Sequence, residues 1–177
     1  MSTYGGKELA AAFRTVRGNT IKVAGEIPAD RYDFRAAEGT KSVGELLAHI
    51  AYSHRIAEDI HRVKHASTLV GFDFGGLVAS IAAEEAKLKG KDQILAALEK
   101  EGEGFASWLA SLSDAFLAER VENFDKSGSR SRLEMLLSPK EHEMHHRGQL
   151  MLMQRLMGIV PHLTRERQAR AAAAAKR

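Results

Sequence analysis

Apolar residues recur at helical spacing along nearly the whole of this 177-residue chain, and no stretch alternates apolar and polar residues as a half-buried strand would. The pattern predicts an all-α fold. Helix 1 is expected over Gly6–Ala24, followed by Pro28 and a charged connection at Asp30–Glu38. Helix 2 is expected over Val43–His65, with Ser42 as its cap and Glu45 three residues on, a capping box. A loop with apolar anchors at Ser67–Gly76 leads to a short helix over Leu77–Leu88, and helix 3 comes next over Asp92–Ser111. Gly102 and Gly104 weaken the middle of helix 3 by roughly 1 kcal/mol each. Asp114–Ser131 reads as a polar connector, and the last long helix covers Arg132–Met157 before Gly158 and Pro161. Pro139 inside that helix predicts a kink or a tight break, the break using Ser138 as cap, Pro139 at the first helical position and Glu141 to close a capping box.

Size and charge narrow the classes. A chain of this length suits one domain able to bury its own core, and no apolar run approaches the roughly 20 residues a membrane span needs. The N-terminus lacks a basic start followed by an apolar stretch, which argues against a secretory signal and for the cytoplasm. The net charge of +3 does not describe the main body. Arg165, Arg167, Arg170, Lys176 and Arg177 stand against Glu166 alone, so this segment carries +4 and residues 1–164 are left at −1. No nucleic-acid partner is expected from so local an excess. The chain divides into a bundle over residues 1–163 and a basic tail over 164–177, with an alanine run at 171–175, read as a solvated terminus. With no cysteine there is no disulfide, no thiolate-bound zinc and no cysteine nucleophile, so any thiol chemistry must use a thiol brought in from outside.

The chemistry concentrates at residues 141–150. His142 and His146 are four apart and share one helix face. At about 100° per residue, His142, His145, His146 and Gln149 fall on an arc with Met135, Leu150, Leu152, Met153 and Leu156, so the histidines are expected to point toward the core. A single buried imidazole is commonly a hydrogen-bonded core residue. Two on one apolar face need two separate partners, or one metal ion. The third ligand is expected from helix 2, where His49 lies on the arc of Leu46, Ile50, Ala57 and Ile60. His54, His61 and His65, with Glu58, fall on the edge of that arc and read as surface or as an interface, the ground for expecting a homodimer. Three imidazoles leave open positions on a divalent ion, as catalytic sites do. His145 and Gln149 are candidate catalytic or orienting groups, and Arg147 reads as a structural surface contact.

The same letters satisfy H-E-x-x-H at 142–146, the zincin pattern, with Glu166 twenty residues beyond. Zincins need an edge strand to align a peptide, and none is evident here. Gln149 also occupies the position of the glycine in the longer metzincin form. A different resemblance covers most of residues 6–163. The stretch HEMHHRGQLMLMQRLMGIVP (142–161) resembles the C-terminal signature of the DinB/YfiT-like family of damage-inducible proteins, distinct from the DNA polymerase of that name. VGELLAHIA (43–51) resembles the family's first ligand segment. The resemblance implies a four-helix bundle, here with a short extra helix and the basic C-terminal tail, binding zinc or nickel on His49, His142 and His146. It also implies a small-molecule substrate and, as in some relatives, transfer of an external low-molecular-weight thiol to an electrophile. Metal-dependent hydrolysis and a non-catalytic, stress-linked metal-binding role are the alternatives.

Overall fold

The computed structural model describes residues 4–175. Helix α1 (Gly6–Glu26) opens where the Glu8 carboxylate accepts the Gly5 N–H at 2.9 Å. A single turn at Ala29–Arg31 leads to α2 (Val43–Tyr52). The expected capping box starts α2: Ser42 Oγ accepts the Glu45 N–H at 3.2 Å, and Glu45 Oε2 accepts the Ser42 N–H at 2.8 Å.

Helix 2 does not continue to His65. It breaks at Ser53 and His54, resumes as α3 (Arg55–Glu58) and widens into a π-turn over Asp59–Val63. The cause of the break is an acceptor taken by side chains. The Ile50 carbonyl, which an unbroken helix would offer to the His54 N–H, accepts from Arg17 Nη2 at 3.1 Å and from Ser53 Oγ at 3.3 Å. The break and the wide turn rotate the side chains beyond Ser53. His54 and His61 are thereby turned inward at 2% and 1% exposure, and only His65 of the expected surface stripe is exposed. His54 packs against the rings of Phe13 and Phe105, and burial, reinforced by the charges of Arg17 and Arg55, pushes it down to about 3. The stripe that pointed to a homodimer therefore does not exist as a surface.

Helix α4 (Phe74–Glu85) starts three residues earlier than expected because Asp73 caps it, its Oδ1 accepting the Gly76 N–H at 2.8 Å. Helix α5 spans Gly90–Ala110. The polar connector contains structure that periodicity does not reveal: a short helix α6 (Asp114–Ala118) and an antiparallel hairpin of β1 (Arg120–Glu122) and β2 (Ser129–Ser131), with Val121 opposite Arg130. Three-residue strands with only Val121 buried are too short to alternate visibly. Helix α7 (Arg132–Leu156) runs through Pro139 without a break, capped at Ser131 and Glu134 rather than at Ser138 and Glu141. Helix α8 (His162–Ala174) carries the basic tail. It docks on α1 through buried His162, an Arg165–Glu26 ion pair and a Lys22–Glu166 pair at 3.7 Å, and from Arg167 onward it is exposed. Lys176 and Arg177 lie outside the described residues.

The bundle is made by α1, α2, α5 and α7, with α1 and α2 each packing on both α5 and α7. Two apolar clusters fill it, one around Leu47, Ile50, Leu98 and Leu150 and one around Phe13, Phe105, Leu109 and Leu136. A polar knot lies among these helices. Arg17 of α1 donates through Nε to both Glu143 oxygens of α7 at 3.1 and 3.0 Å, through Nη1 to the Leu98 carbonyl of α5 at 2.8 Å, and through Nη2 to the Ile50 carbonyl of α2. One guanidinium thus ties all four bundle helices. Gly102 is needed beside it, since a Cβ there would stand 2.8 Å from Arg17 Cγ. No described helix is long and apolar enough to cross a membrane.

Candidate metal centre

The three histidines named from the sequence come together. Ligand-capable nitrogens of His49 (α2), His142 and His146 (both α7) all lie within 4.8 Å of one another. His49 Nε2 and His142 Nε2 stand 3.0 Å apart. Partners set the tautomers. A carboxylate only accepts, so His49 donates its Nδ1–H to Glu85 Oε1 at 2.9 Å and keeps a lone pair on Nε2. Gln149 Oε1 accepts the Nδ1–H of His146 at 2.9 Å, which likewise leaves the His146 Nε2 lone pair free. Gln149 Nε2 in turn donates to His145 Nε2 at 3.2 Å, so exposed His145 sits one step farther out. Burial, reinforced by the charges of His146 and His49, pushes His142 down to about 4; burial chiefly lowers His146 as well. Both shifts favour the neutral ring, the form that ligates.

This donor set fits a divalent ion. Nitrogens each about 2.0–2.1 Å from a common ion stand roughly 2.9–3.4 Å apart, which brackets the His49–His142 approach. Two ring nitrogens at that distance otherwise form a single hydrogen bond, which would leave the His146 lone pair with no role. A carboxylate or amide holding the outer ring nitrogen of a ligand histidine is the usual support of such sites. Replacing Glu85 by alanine is expected to weaken metal affinity about 10–100-fold in a chelator competition, while Glu85→Gln, which keeps the acceptor, retains most of it. Unchanged affinity in the alanine variant would remove Glu85 from the site.

The helix-face expectation needs one correction. The buried face of α7 runs through Met135, Leu136, Pro139, Glu143, Leu150 and Met153, while Leu152 and Leu156 are more than half exposed, at 55% and 57%. The core centre of that face is Glu143, and His142 and His146 flank it at the rim. The histidines consequently border open space instead of being sealed in. Arg147 is half-buried and donates to the Val16 carbonyl at 3.1 Å, so it ties α7 to α1. The fate of Glu143 also settles the zincin pattern. That pattern needs its glutamate as a general base, and here it is 1% exposed and committed to Arg17.

His49 and His142 line a cavity of about 360 Å³ whose wall includes Ile56, Ile60, Leu69, Phe74 and Met135. A separate cleft of about 340 Å³ is lined by His146 and Gln149 together with Lys41, Leu46, Leu152 and Met153. Glu85 was not legible as a neighbour of the triad, because it meets the site from a distant segment with no local pattern, and His61, read from its spacing as surface or interface, lines the cavity instead.

The DinB family model matches residues 1–176. The DinB-like protein YjoA of Bacillus subtilis superposes with a TM-score of 0.63 at 20% identity, covering 85% of this chain and 92% of its own. YfiT of Bacillus subtilis, described as a probable metal-dependent hydrolase with an unusual four-helix bundle topology, superposes with a TM-score of 0.65 at 13% identity, covering 90% of this chain and 91% of its own. No curated protein matches this chain.

Proposed function

This chain belongs to the DinB family, and we propose that it is a divalent-metal-dependent hydrolase of small molecules, with the ion held by His49, His142 and His146. One observation carries this reading: three imidazoles converge, two of them on the wall of a largely apolar cavity, with the Nε2 lone pairs of His49 and His146 set by Glu85 and Gln149. YfiT's description as a probable metal-dependent hydrolase on the same fold supports it. Zinc and nickel both suit an all-imidazole donor set. Such an ion supplies Lewis acidity and lowers the pKa of water beside it. The chain's own residues do the rest. Glu85 and Gln149 hold the ligand rings, and the apolar wall of Ile56, Ile60, Leu69 and Phe74 takes the substrate body and limits competing water.

A second reading, transfer of an external thiol to an electrophile, has one observation in its favour. The cleft at His146 and Gln149 shares no residue with the first cavity, so the triad has room for two reactants. A panel of simple esters and amides, run beside a panel of cellular thiols with a generic electrophile, separates the two. Hydrolysis is expected in the metal-loaded protein and not after chelation. Thiol consumption without hydrolysis would replace the first reading by the second, and neither would favour a non-catalytic metal-binding role.

A further inference from the structure

The cavity beside His49 and His142 also carries two polar groups of a different kind. His61 forms part of its wall although the residue is 1% exposed, and the π-turn over Asp59–Val63 is what places it there. Such turns are rare and concentrate at functional sites. Arg132, itself buried and paired with Glu119 at 2.9 Å, stands with Nη1 2.9 Å from His61 Nδ1. A guanidinium only donates, so His61 Nδ1 accepts and the proton sits on Nε2. The ring is thereby fixed as a neutral donor with Nε2–H as its one uncommitted polar group. Arg130 of β2 also lines the cavity, its Nε held by Asn123 Oδ1 at 3.1 Å and its terminal nitrogens left available.

Among the described residues no aspartate or glutamate lines this cavity, and Arg130 is the one fixed charge in its wall. The complement of a single cation beside a neutral N–H donor, over an otherwise apolar surface, is a monoanion on an apolar body. We propose that the substrate is a small carboxylic acid with an apolar body, its carboxylate held by Arg130 and the His61 Nε2–H and its reacting end presented to His49 and His142. A carboxylate fits this pair of groups better than a phosphate monoester, whose second charge no further side chain of the wall would neutralise. The volume, about 360 Å³, lies at the small end of ligand cavities and suits a ring with a short chain. This assignment rests on the reading of the triad as the reacting end of the cavity.

Calorimetry with 3-phenylpropanoate, its amide and the matching phosphate monoester tests it, using metal-loaded and chelator-treated protein. The carboxylate is expected to bind about tenfold or more tighter than the amide, since a hydrogen-bonded charge pair replaces a neutral contact. That preference should persist after chelation, exceed that for the phosphate, and fall to within about twofold in Arg130→Gln, with bound metal unchanged in the variant. Arg130 is exposed, so the variant leaves the core intact. Equal binding of acid and amide, a preference surviving Arg130→Gln, a preference lost on chelation or tighter phosphate binding would each overturn the proposal. A protein that holds no metal but keeps the Arg130-dependent preference would sink the triad's role alone, so the two readings fail separately.

Discussion

Replacing Glu143 by alanine is expected to destabilise the protein by about 3–5 kcal/mol, because it strands the Arg17 charge in the core. The side chains of the pair are 5% and 1% exposed, so water does not take over the lost partner. For a chain of this size the loss corresponds to a fall in Tm of roughly 6–20 °C. The two backbone carbonyls that Arg17 also reaches, Leu98 and Ile50, soften the loss without neutralising the charge. Removing both charges together, as Arg17→Met with Glu143→Leu, should recover much of the stability, since a buried ion pair seldom outperforms well-packed apolar residues of similar volume. The double variant should still loosen the junction at Ser53, because Ile50 would regain its carbonyl for the His54 N–H. An unfolding free energy of Glu143→Ala, from denaturant titration, lowered by less than about 1 kcal/mol would show that Arg17 is not the tie it is described to be.

The second large effect is catalytic. Removing the ion, or any one of His49, His142 and His146, is expected to lower turnover of a hydrolysed substrate by about a thousandfold or more, the equivalent of the several kcal/mol of transition-state stabilisation that a Lewis acid contributes. The loss should appear in kcat/KM, and re-addition of a divalent ion should restore the chelated wild type but not the alanine variants. Full activity in chelated protein would place the chemistry elsewhere.

What could be read from the sequence was local. The helical period gave the all-α class, the Ser42–Glu45 box gave the start of α2, and the i, i+4 spacing of His142 and His146 put two rings on one face. His49 falls where its spacing places it because it lies before the break in helix 2, where counting at about 100° per residue still holds. His54 and His61 lie after it. The same counting carried across Ser53 and into the π-turn assigned them to the surface, whereas both are buried. Asp73 caps α4 within the segment Ser67–Gly76, whose composition reads as loop. The Arg17–Glu143 pair joins residues far apart in sequence, and Glu85 reaches His49 from a short helix whose charges repeat no pattern. Long-range polar pairing leaves no periodic trace, so no reading of spacing could have found either.

The most direct measurement is the metal content of purified protein by plasma mass spectrometry, wild type beside single alanine variants. About one divalent ion per chain is expected in the wild type, near zero in His49→Ala, His142→Ala and His146→Ala, and a wild-type value in His54→Ala and His61→Ala. A wild type that holds no ion when loaded with zinc or nickel, or a His146→Ala variant that keeps its ion, would contradict the assignment of the triad as a metal centre.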